Sequence, residues 1–449
     1  MKRYYYSKLS EGQLPNLTKR QAIDFKKTFR IVKPILDDVK SNGLKAALSY
    51  AKKFDGLDSK NFIVTKDEIK KAKKNLSAKV KKAIDDAYNN IRKFHLKQIP
   101  KSYNVETVAG VICSREFRAI ENIGLYIPGG TAVLPSTLLM LGIPSQIAGC
   151  KRVVICSPAK VVKINDALLY VSDKCGIKEF YKIGGAQAIA LMAYGSRAGA
   201  HLTTGDKKIP KVFKIFGPGN QYVTAAKLLV SIDPDLSGCS IDMPAGPSEL
   251  LIIADEIANP AFVAADLLSQ AEHGADSQVI LVTNSVNLEK KVRKEIEKQL
   301  KKIPRNKLAS ASLKNSFSLI VKNIKRGIEF SNLYAPEHLI LNIKNPAKYK
   351  SKIKNAGSVF LGNYSPESAG DYASGTNHSL PTYGFAKSFG GVTVESFMKS
   401  VTFQSLTKKG LENISETVQT LAESEELIAH RNAVKIRFSR RDSLERFEI

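Results

Sequence analysis

No stretch of this sequence stays apolar long enough to cross a bilayer. The richest run, Val133 to Ile147, falls short of the roughly 20 residues a spanning helix needs and is broken by Pro135 and Pro144. The opening residues, Met1-Lys2-Arg3-Tyr4-Tyr5-Tyr6, lack the apolar core of a secretory signal, so no membrane partner and a cytoplasmic location are expected. Cysteine is scarce and unpaired. Cys113, Cys150, Cys156, Cys175 and Cys239 are odd in number and show no CxxC spacing, which excludes a disulfide framework and a thiolate zinc site. Buried free thiols are the expectation.

Acidic residues are outnumbered, 42 against 69 Lys and Arg, which leaves a formal charge of +27. Such an excess invites a nucleic-acid reading. The supporting features are missing, however: there is no Arg-rich tract, no recognition-helix signature and no interleaving of aromatic with basic residues. Lys70, Lys71, Lys73, Lys74, Lys79, Lys81 and Lys82 alternate at helical spacing with Ile69, Leu76, Val80, Ile84, Ala87 and Ile91. That is a solvated helix face, and no nucleic-acid partner is expected.

What is present is a long globular chain. At 449 residues, 43% hydrophobic and 25% charged, it exceeds one ordinary core and points to two or more α/β domains. Helical patterns dominate from about residue 26 to Gln98, with Thr65-Lys66-Asp67-Glu68 forming a capping box. Val108 to Ile112 reads as a strand. Strand candidates then alternate with helical segments. The strands are Arg152–Cys156, Glu179–Ile183, Val212–Phe216, Leu250–Ala254 and Gln278–Thr283, and the helices Asn165–Cys175, Ala186–Ala193, Asn220–Leu229 and Pro260–His273. This alternation predicts parallel sheets covered on both faces. Ser318–Val321, Leu339–Asn342 and Ser358–Leu361 read as further strands, and Leu411 to about Val434 as one amphipathic helix.

Chemistry concentrates around histidine. There are six in the chain, and four lie in polar, helix-breaking contexts. Gln270 and His273 are three apart, hence neighbours on one helical face, before Gly274. A His in a last turn is also what the helix dipole favours. Glu337 and His338 follow Pro336 ahead of an apolar strand. Adjacent strand residues face opposite ways, so both serve one site only if they sit in the preceding loop; the alternative is an ordinary surface loop. The stretch from Ala369 to Pro381, with Asp371 and His378, is rich in Gly, Ser and Asn and carries no apolar period, as functional loops do. His430 follows Glu425 by five residues and by itself reads as a solvated helix-end histidine. Imidazole, carboxylate and amide oxygen together suit zinc, and an adjacent Glu and His suit proton transfer. Two glycine turns, Gly184-Gly185-Ala186-Gln187 and Gly217-Pro218-Gly219-Asn220, each run from strand into helix, where phosphate could sit. Neither is a full GxGxxG, since Tyr222 stands at the third glycine position.

Taken together, Gly124–Pro135, Gly184–Ala190, Gly217–Thr224, Asp242–Ser248, Gln270–Gly274, Tyr334–His338 and Asp371–Pro381 resemble, in this order and over essentially the whole chain, the histidinol dehydrogenase family. The resemblance implies oxidation of L-histidinol through L-histidinal to L-histidine, with two NAD+ reduced and one zinc ion per subunit. It implies two Rossmann-like parallel-sheet domains, with small N- and C-terminal helical extensions that pack in a homodimer whose active site is shared. The boundaries expected are 1–25 for the N-terminal extension, 26–125 with 248–390 for the first domain, 126–247 for the second and 391–449 for the C-terminal extension. By the same correspondence Gln270, His273 and Asp371 ligate zinc, and His430 completes the site from the other subunit. Glu337 and His338 are the catalytic pair, Ser248, His378 and Glu425 contact substrate with His338 and the zinc ligands, and Tyr126, Gln187 and Asn220 contact NAD+. One departure is the connection Ser196 to Pro210, longer than the family's usual one and containing His201. A zinc-dependent hydrolase using Glu337 to activate water, and a basic nucleic-acid binder, are the rival readings.

Overall fold

The structure is a computed structural model and describes residues 1–20, 25–57, 61–129, 134–159, 163–196, 209–235, 237–243 and 246–438. His201, most of the Ser196–Pro210 connection, Gly130 to Val133 and the Pro244-Ala245 step lie outside the described residues.

Strands run along the chain as β1 (Lys2–Tyr5), β2 (Tyr103–Val108), β3 (Val111–Ala119), β4 (Asn122–Tyr126) and β5 (Arg152–Cys156). They continue as β6 (Glu179–Tyr181), β7 (Lys214–Phe216), β8 (Ser240–Ile241), β9 (Glu249–Ala254) and β10 (Gln278–Thr283). The last are β11 (Phe317–Ile320), β12 (His338–Asn342), β13 (Ser358–Leu361) and β14 (Met398–Leu406). They form two parallel sheets and one small antiparallel sheet.

The chain divides into two compact units, the first made of Met1–Gln98 with Ile120–Phe397. Its six-stranded sheet has the order β1-β11-β10-β9-β12-β13, and its five-stranded sheet the order β6-β5-β4-β7-β8. In both, the strands from β11 to β13 and from β6 to β8 follow the doubly wound sequence 3-2-1-4-5, with a switch point beside the first strand. Nearly continuous apolar strands make this possible. In β9 and β10, Leu250, Ile252, Val279 and Leu281 pack one face, against Val263, Leu267 and Val292 of the helices Pro260–Ala271 and Val286–Leu300. Leu251, Ile253, Ile280 and Val282 pack the other, against Ile328 and Phe330 of the helix Ile324–Tyr334. Both faces are dry, which only a sheet covered by helices on two sides requires.

The N-terminal residues are not a separate extension: β1 pairs in parallel with β11 from Lys2↔Phe317 to Tyr5↔Ile320. The boundaries expected from sequence put 26–125 with the sheet of 248–390. In the structure the helices of that stretch cover the five-stranded sheet instead. Val32, Leu36 and Val39 of the helix Phe25–Asp55 pack with Val154, Ile189 and Ile215, and Ala72, Ile84 and Ile91 pack with Ile123, Leu138 and Ile155 on the opposite face. The capping box at Thr65 is formed, with Glu68 N–H donating to the Thr65 hydroxyl at 3.2 Å and Thr65 N–H to the Glu68 carboxylate at 2.8 Å.

The second unit comprises Ile99–Ala119 and Met398–Ile449, described to residue 438. Its antiparallel sheet β14-β3-β2 corrects two sequence expectations. Val108 to Ile112 is no single strand but the tip of a hairpin, turned at Ala109-Gly110 where Gly110 holds φ +81°. The C-terminal segment is not wholly helical either, since β14 pairs with β3 over its full nine residues. The long helix expected from Leu411 is two, Lys408–Ser424 and Ile428–Lys435, interrupted where Glu426 takes φ +60°.

Candidate active site

A cavity of about 640 Å³ lies in the first unit, within the usual range for small-ligand sites. One wall follows the C-terminal ends of β4 and β7, the switch point of the five-stranded sheet, through Pro128, Gly219 and Asn220. The other wall follows the N-terminal ends of β9, β10 and β12, through Ser248, Glu249, Gln278, Glu337 and His338.

Glu337 and His338 share the site because only one of them is in a strand. His338 opens β12 and Glu337 directly precedes it, so the alternation of a pleated strand does not separate them. The parallel register sets His338 opposite Leu250 and hence Glu337 beside Glu249. Glu249 N–H donates to Glu337 Oε2 at 2.8 Å, and Glu249 O lies 3.3 Å from His338 Nδ1. The two side chains are 3.6 Å apart, Nδ1 to Oε2. Burial pushes the Glu337 carboxyl up from its ordinary range, with His338 opposing. Burial works against a charged His338, but Glu367, Glu337 and Asp371 outweigh it and the net shift is upward.

A cluster of metal-type donors adjoins this pair. Gln270 lies in the helix Pro260–Ala271, is 1% exposed, and neither atom of its carboxamide has a protein partner. His273 falls just beyond that helix rather than within it, its N–H donating to Gln270 O at 3.2 Å. Desolvation in the cavity lowers its pKa despite Asp371. Asp371 belongs to a short helix, Glu367–Tyr372, and not to a loop; its Oδ1 lies 3.6 Å from His338 Nε2. His378 Nδ1 donates to Asp371 O at 2.9 Å, which leaves Nε2 with the lone pair. Glu367, which nothing in the sequence reading singled out, is the further donor. It precedes Asp371 by one helical turn and stands with His338 and Asp371 in a group whose ligand atoms lie within 4.8 Å of one another. Burial pushes it up to about 8 against the pull of His338.

The orphaned atoms test whether a cation fits. Gln270 Oε1 and Nε2, His338 Nε2, Glu367 Oε2 and Asp371 Oδ1 are all buried without a hydrogen-bond partner, His338 Nε2 and Asp371 Oδ1 facing each other at 3.6 Å. Leaving a buried polar group unpaired costs about 1–3 kcal/mol, so native proteins rarely gather several in one place. Carboxylate, imidazole and amide oxygen are a donor set suited to zinc, and the residues present fit that ion.

The positions expected to contact NAD+ divide. Asn220 lines the cavity and caps the helix Gln221–Ser231, accepting from Tyr222 N–H at 3.0 Å and Val223 N–H at 3.1 Å. The turn before it is rigid. Gly217 has φ +119°, and a Cβ there would collide with the Tyr126 carbonyl oxygen. Gly217 also donates to Asp242 at 2.8 Å and accepts from the buried Lys227 at 2.9 Å, while Lys227 pairs with Asp242. Tyr126 and Gln187 lie instead at the start of the helix Gly185–Tyr194. The Tyr126 hydroxyl accepts from Gly185 N–H at 3.1 Å, and Gln187 is 1% exposed with Nε2 unpaired. Neither is among the residues lining the cavity.

The structure therefore brings together Ser248, Gln270, His273, Glu337, His338, Asp371, His378 and Asn220. Glu425 and His430 lie exposed in the second unit. Arg20, Glu249, Glu367 and Tyr383 belong to the site or its support and were not foreseen.

Fold and cavity define an α/β protein with a candidate cation site in its cavity. The model of the family described as Histidinol dehydrogenase matches residues 18–438, and the chain belongs to that family, the oxidoreductases that convert histidinol to histidine in histidine biosynthesis. It is 50% identical over 440 residues to "Histidinol dehydrogenase, chloroplastic" of Arabidopsis thaliana, covering 97% of this chain and 91% of that one. It is 48% identical over 438 residues to histidinol dehydrogenase of Vibrio parahaemolyticus, covering 97% and 98%. The crystal structure of histidinol dehydrogenase from Elizabethkingia anophelis superposes with a TM-score of 0.90 at 49% identity, over 99% of each chain.

Proposed function

We propose that the cavity of the first unit carries out both oxidations, L-histidinol to L-histidinal and L-histidinal to L-histidine, with Glu337 and His338 as the proton-handling pair. The observation that supports this most is the meeting of that pair with the orphaned donors of Gln270, Glu367 and Asp371. In this reading Gln270, His273 and Asp371, with His430 from a second copy of the chain, hold one zinc ion, which when bound orients the substrate through its imidazole and amine. NAD+ is the hydride acceptor, held near Asn220, Tyr126 and Gln187. His338 takes the hydroxyl proton in the first oxidation and the hydrate proton in the second. Glu337 deprotonates the water that adds to the aldehyde. Ser248, His378 and Glu425 contact the substrate.

A homodimer with a shared site belongs to the same reading. It is supported by apolar side chains that the second unit leaves exposed, among them Tyr103, Val105, Phe403, Leu421, Leu427 and Ile428. Among the described residues no helix is long and apolar enough to cross a membrane. The Arabidopsis relative's printed name places that protein in the chloroplast; for this chain a cytoplasmic setting is proposed.

The direct test is NADH formation, followed by absorbance, when purified zinc-loaded protein meets L-histidinol and NAD+. Two NADH per substrate are expected; hydrolysis without NADH would favour the zinc-hydrolase reading. A second expectation concerns the metal. His273→Ala removes one donor from a small set and should abolish stoichiometric zinc by elemental analysis, with the fold intact by circular dichroism. Full zinc occupancy in that variant removes His273 from the ligands.

A further inference from the structure

Glu249 is the residue through which both members of the catalytic pair are held. Its N–H fixes Glu337 and its carbonyl oxygen faces His338 Nδ1, so the position of one peptide segment governs two side chains. The Glu249 side chain is itself fixed at both carboxylate oxygens. Arg20 Nε donates to Oε1 at 2.9 Å and Arg20 Nη2 to Oε2 at 2.7 Å, the planar fork that a guanidinium makes and an ammonium cannot. Tyr383 N–H adds a third bond to Oε1 at 2.8 Å.

Arg20 reaches this point from 229 residues away in sequence, and its own geometry is fully committed. Nη1 donates to Thr18 O at 2.9 Å, and Nη2 donates also to Ala335 O at 3.2 Å, two residues before Glu337. The guanidinium lies over the Tyr334 ring at 3.6 Å from its centroid, and the Tyr334 hydroxyl donates to Gln278 at 2.7 Å. Of five N–H donors on the group, contacts within the protein occupy most. Arg20 lines the cavity but has little left with which to grip a ligand.

We propose that Arg20, acting through Glu249, is a positioning residue for the catalytic pair: it fixes the start of β9 so that the backbone of residue 249 presents Glu337 and His338 in working geometry. The proposal rests on the roles given to Glu337 and His338 above. A buried ion pair is weak grounds for a stability role, because desolvating both charges offsets their attraction. The side chains are 10% and 2% exposed, so this pair has been taken out of water. What this pair's fork geometry can supply instead is a fixed position for the segment it holds. Here it ties the N-terminal segment and the Tyr334–Ala335 turn to a residue that touches both catalytic groups.

The test separates positioning from folding. In Arg20→Met the clamp is gone, and kcat for oxidation of L-histidinal should fall about 100-fold, the scale of a 1 Å misplacement. KM for L-histidinol should stay within about two-fold of wild type, and zinc should stay stoichiometric, because no substrate or metal contact is removed. Arg20→Lys, which keeps the charge and loses the fork, should recover part of the rate. Glu249→Gln should lower kcat in the same direction, and the double variant Arg20→Met with Glu249→Gln should be no slower than the worse single, since both break one clamp. A kcat within about two-fold of wild type in zinc-loaded Arg20→Met overturns the proposal, as does a rise in KM at unchanged kcat or a multiplicative double variant. Should Arg20→Met not fold, Arg20→Lys decides, and an unchanged kcat there overturns it. If Glu337→Gln itself spares the aldehyde step, the functional reading is at fault; if it blocks that step and the Arg20 variants do not, only the positioning role fails.

Discussion

Glu337→Gln should slow oxidation of L-histidinal to L-histidine by roughly 100- to 10,000-fold, the usual worth of a positioned general base, and impair the alcohol step less. The substitution is nearly isosteric. A Gln carbonyl oxygen can still accept from Glu249 N–H, as the carboxylate does at 2.8 Å, so the site should keep its shape. What disappears is basicity. The two oxidations differ in one respect that matters here: an aldehyde has no hydride to give until water has added, whereas the alcohol already carries a removable hydride and a proton that His338 can take. Burial raises the Glu337 pKa above its ordinary 4.5, which makes the carboxylate a stronger base once ionised. The sign for pH follows. A base must be ionised, so the aldehyde step should lose rate as pH falls through a value above the ordinary glutamate range. The Gln variant should lose that contribution and keep the acid limb set by His338, which must be neutral to take a proton and whose pKa is also shifted upward. Single-turnover NADH formation with histidinol and histidinal supplied separately reads both. Equal loss in the two steps discards the water-activating role.

Glu337 and His338 also show what the sequence makes legible and what it hides. Strand β10 was readable residue for residue, because an apolar run buried on both faces leaves no ambiguity about where it starts and stops. Pro336 and the period of two place Glu337 and His338 together in the loop before the strand, whereas in the structure His338 opens β12 and Glu337 alone precedes it. β14 was not readable, because it is exposed along nearly its whole length and no buried face imposes a pattern on it. The hairpin tip at Ala109-Gly110 was read as strand for the opposite reason: apolar residues flank it on both sides and masked the turn. Glu367 did carry a signal, one helical turn before Asp371, but the segment reads as a polar loop and its short helix is fixed by packing. Arg20 carried none. Its function is a contact with Glu249, and no local composition marks which of 69 cationic residues will travel that far.

Mixing two inactive variants gives the sharpest test of the shared site. Suppose each site takes Glu337 from one copy and His430 from the other. A heterodimer of Glu337→Gln with His430→Ala then has one site with both lesions and one with none, because twofold symmetry pairs the intact halves. Random exchange of equal amounts makes half the dimers hybrid, so conversion of L-histidinal to L-histidine should return to about one quarter of wild type. Neither homodimer should show more than a trace, since every site in each carries a lesion. If the whole site came from one copy, the hybrid would hold two singly damaged sites and no activity would return. Exchange can be confirmed by native mass spectrometry of the same mixture, so that silence in the assay has one meaning. The isolated chain places His430 exposed on the helix Ile428–Lys435, just past the break at Glu426 that ends the preceding helix. A histidine needed only for solubility there would tolerate alanine. One that completes a metal site across copies would not, and its loss should be repaired only by a partner that still carries it.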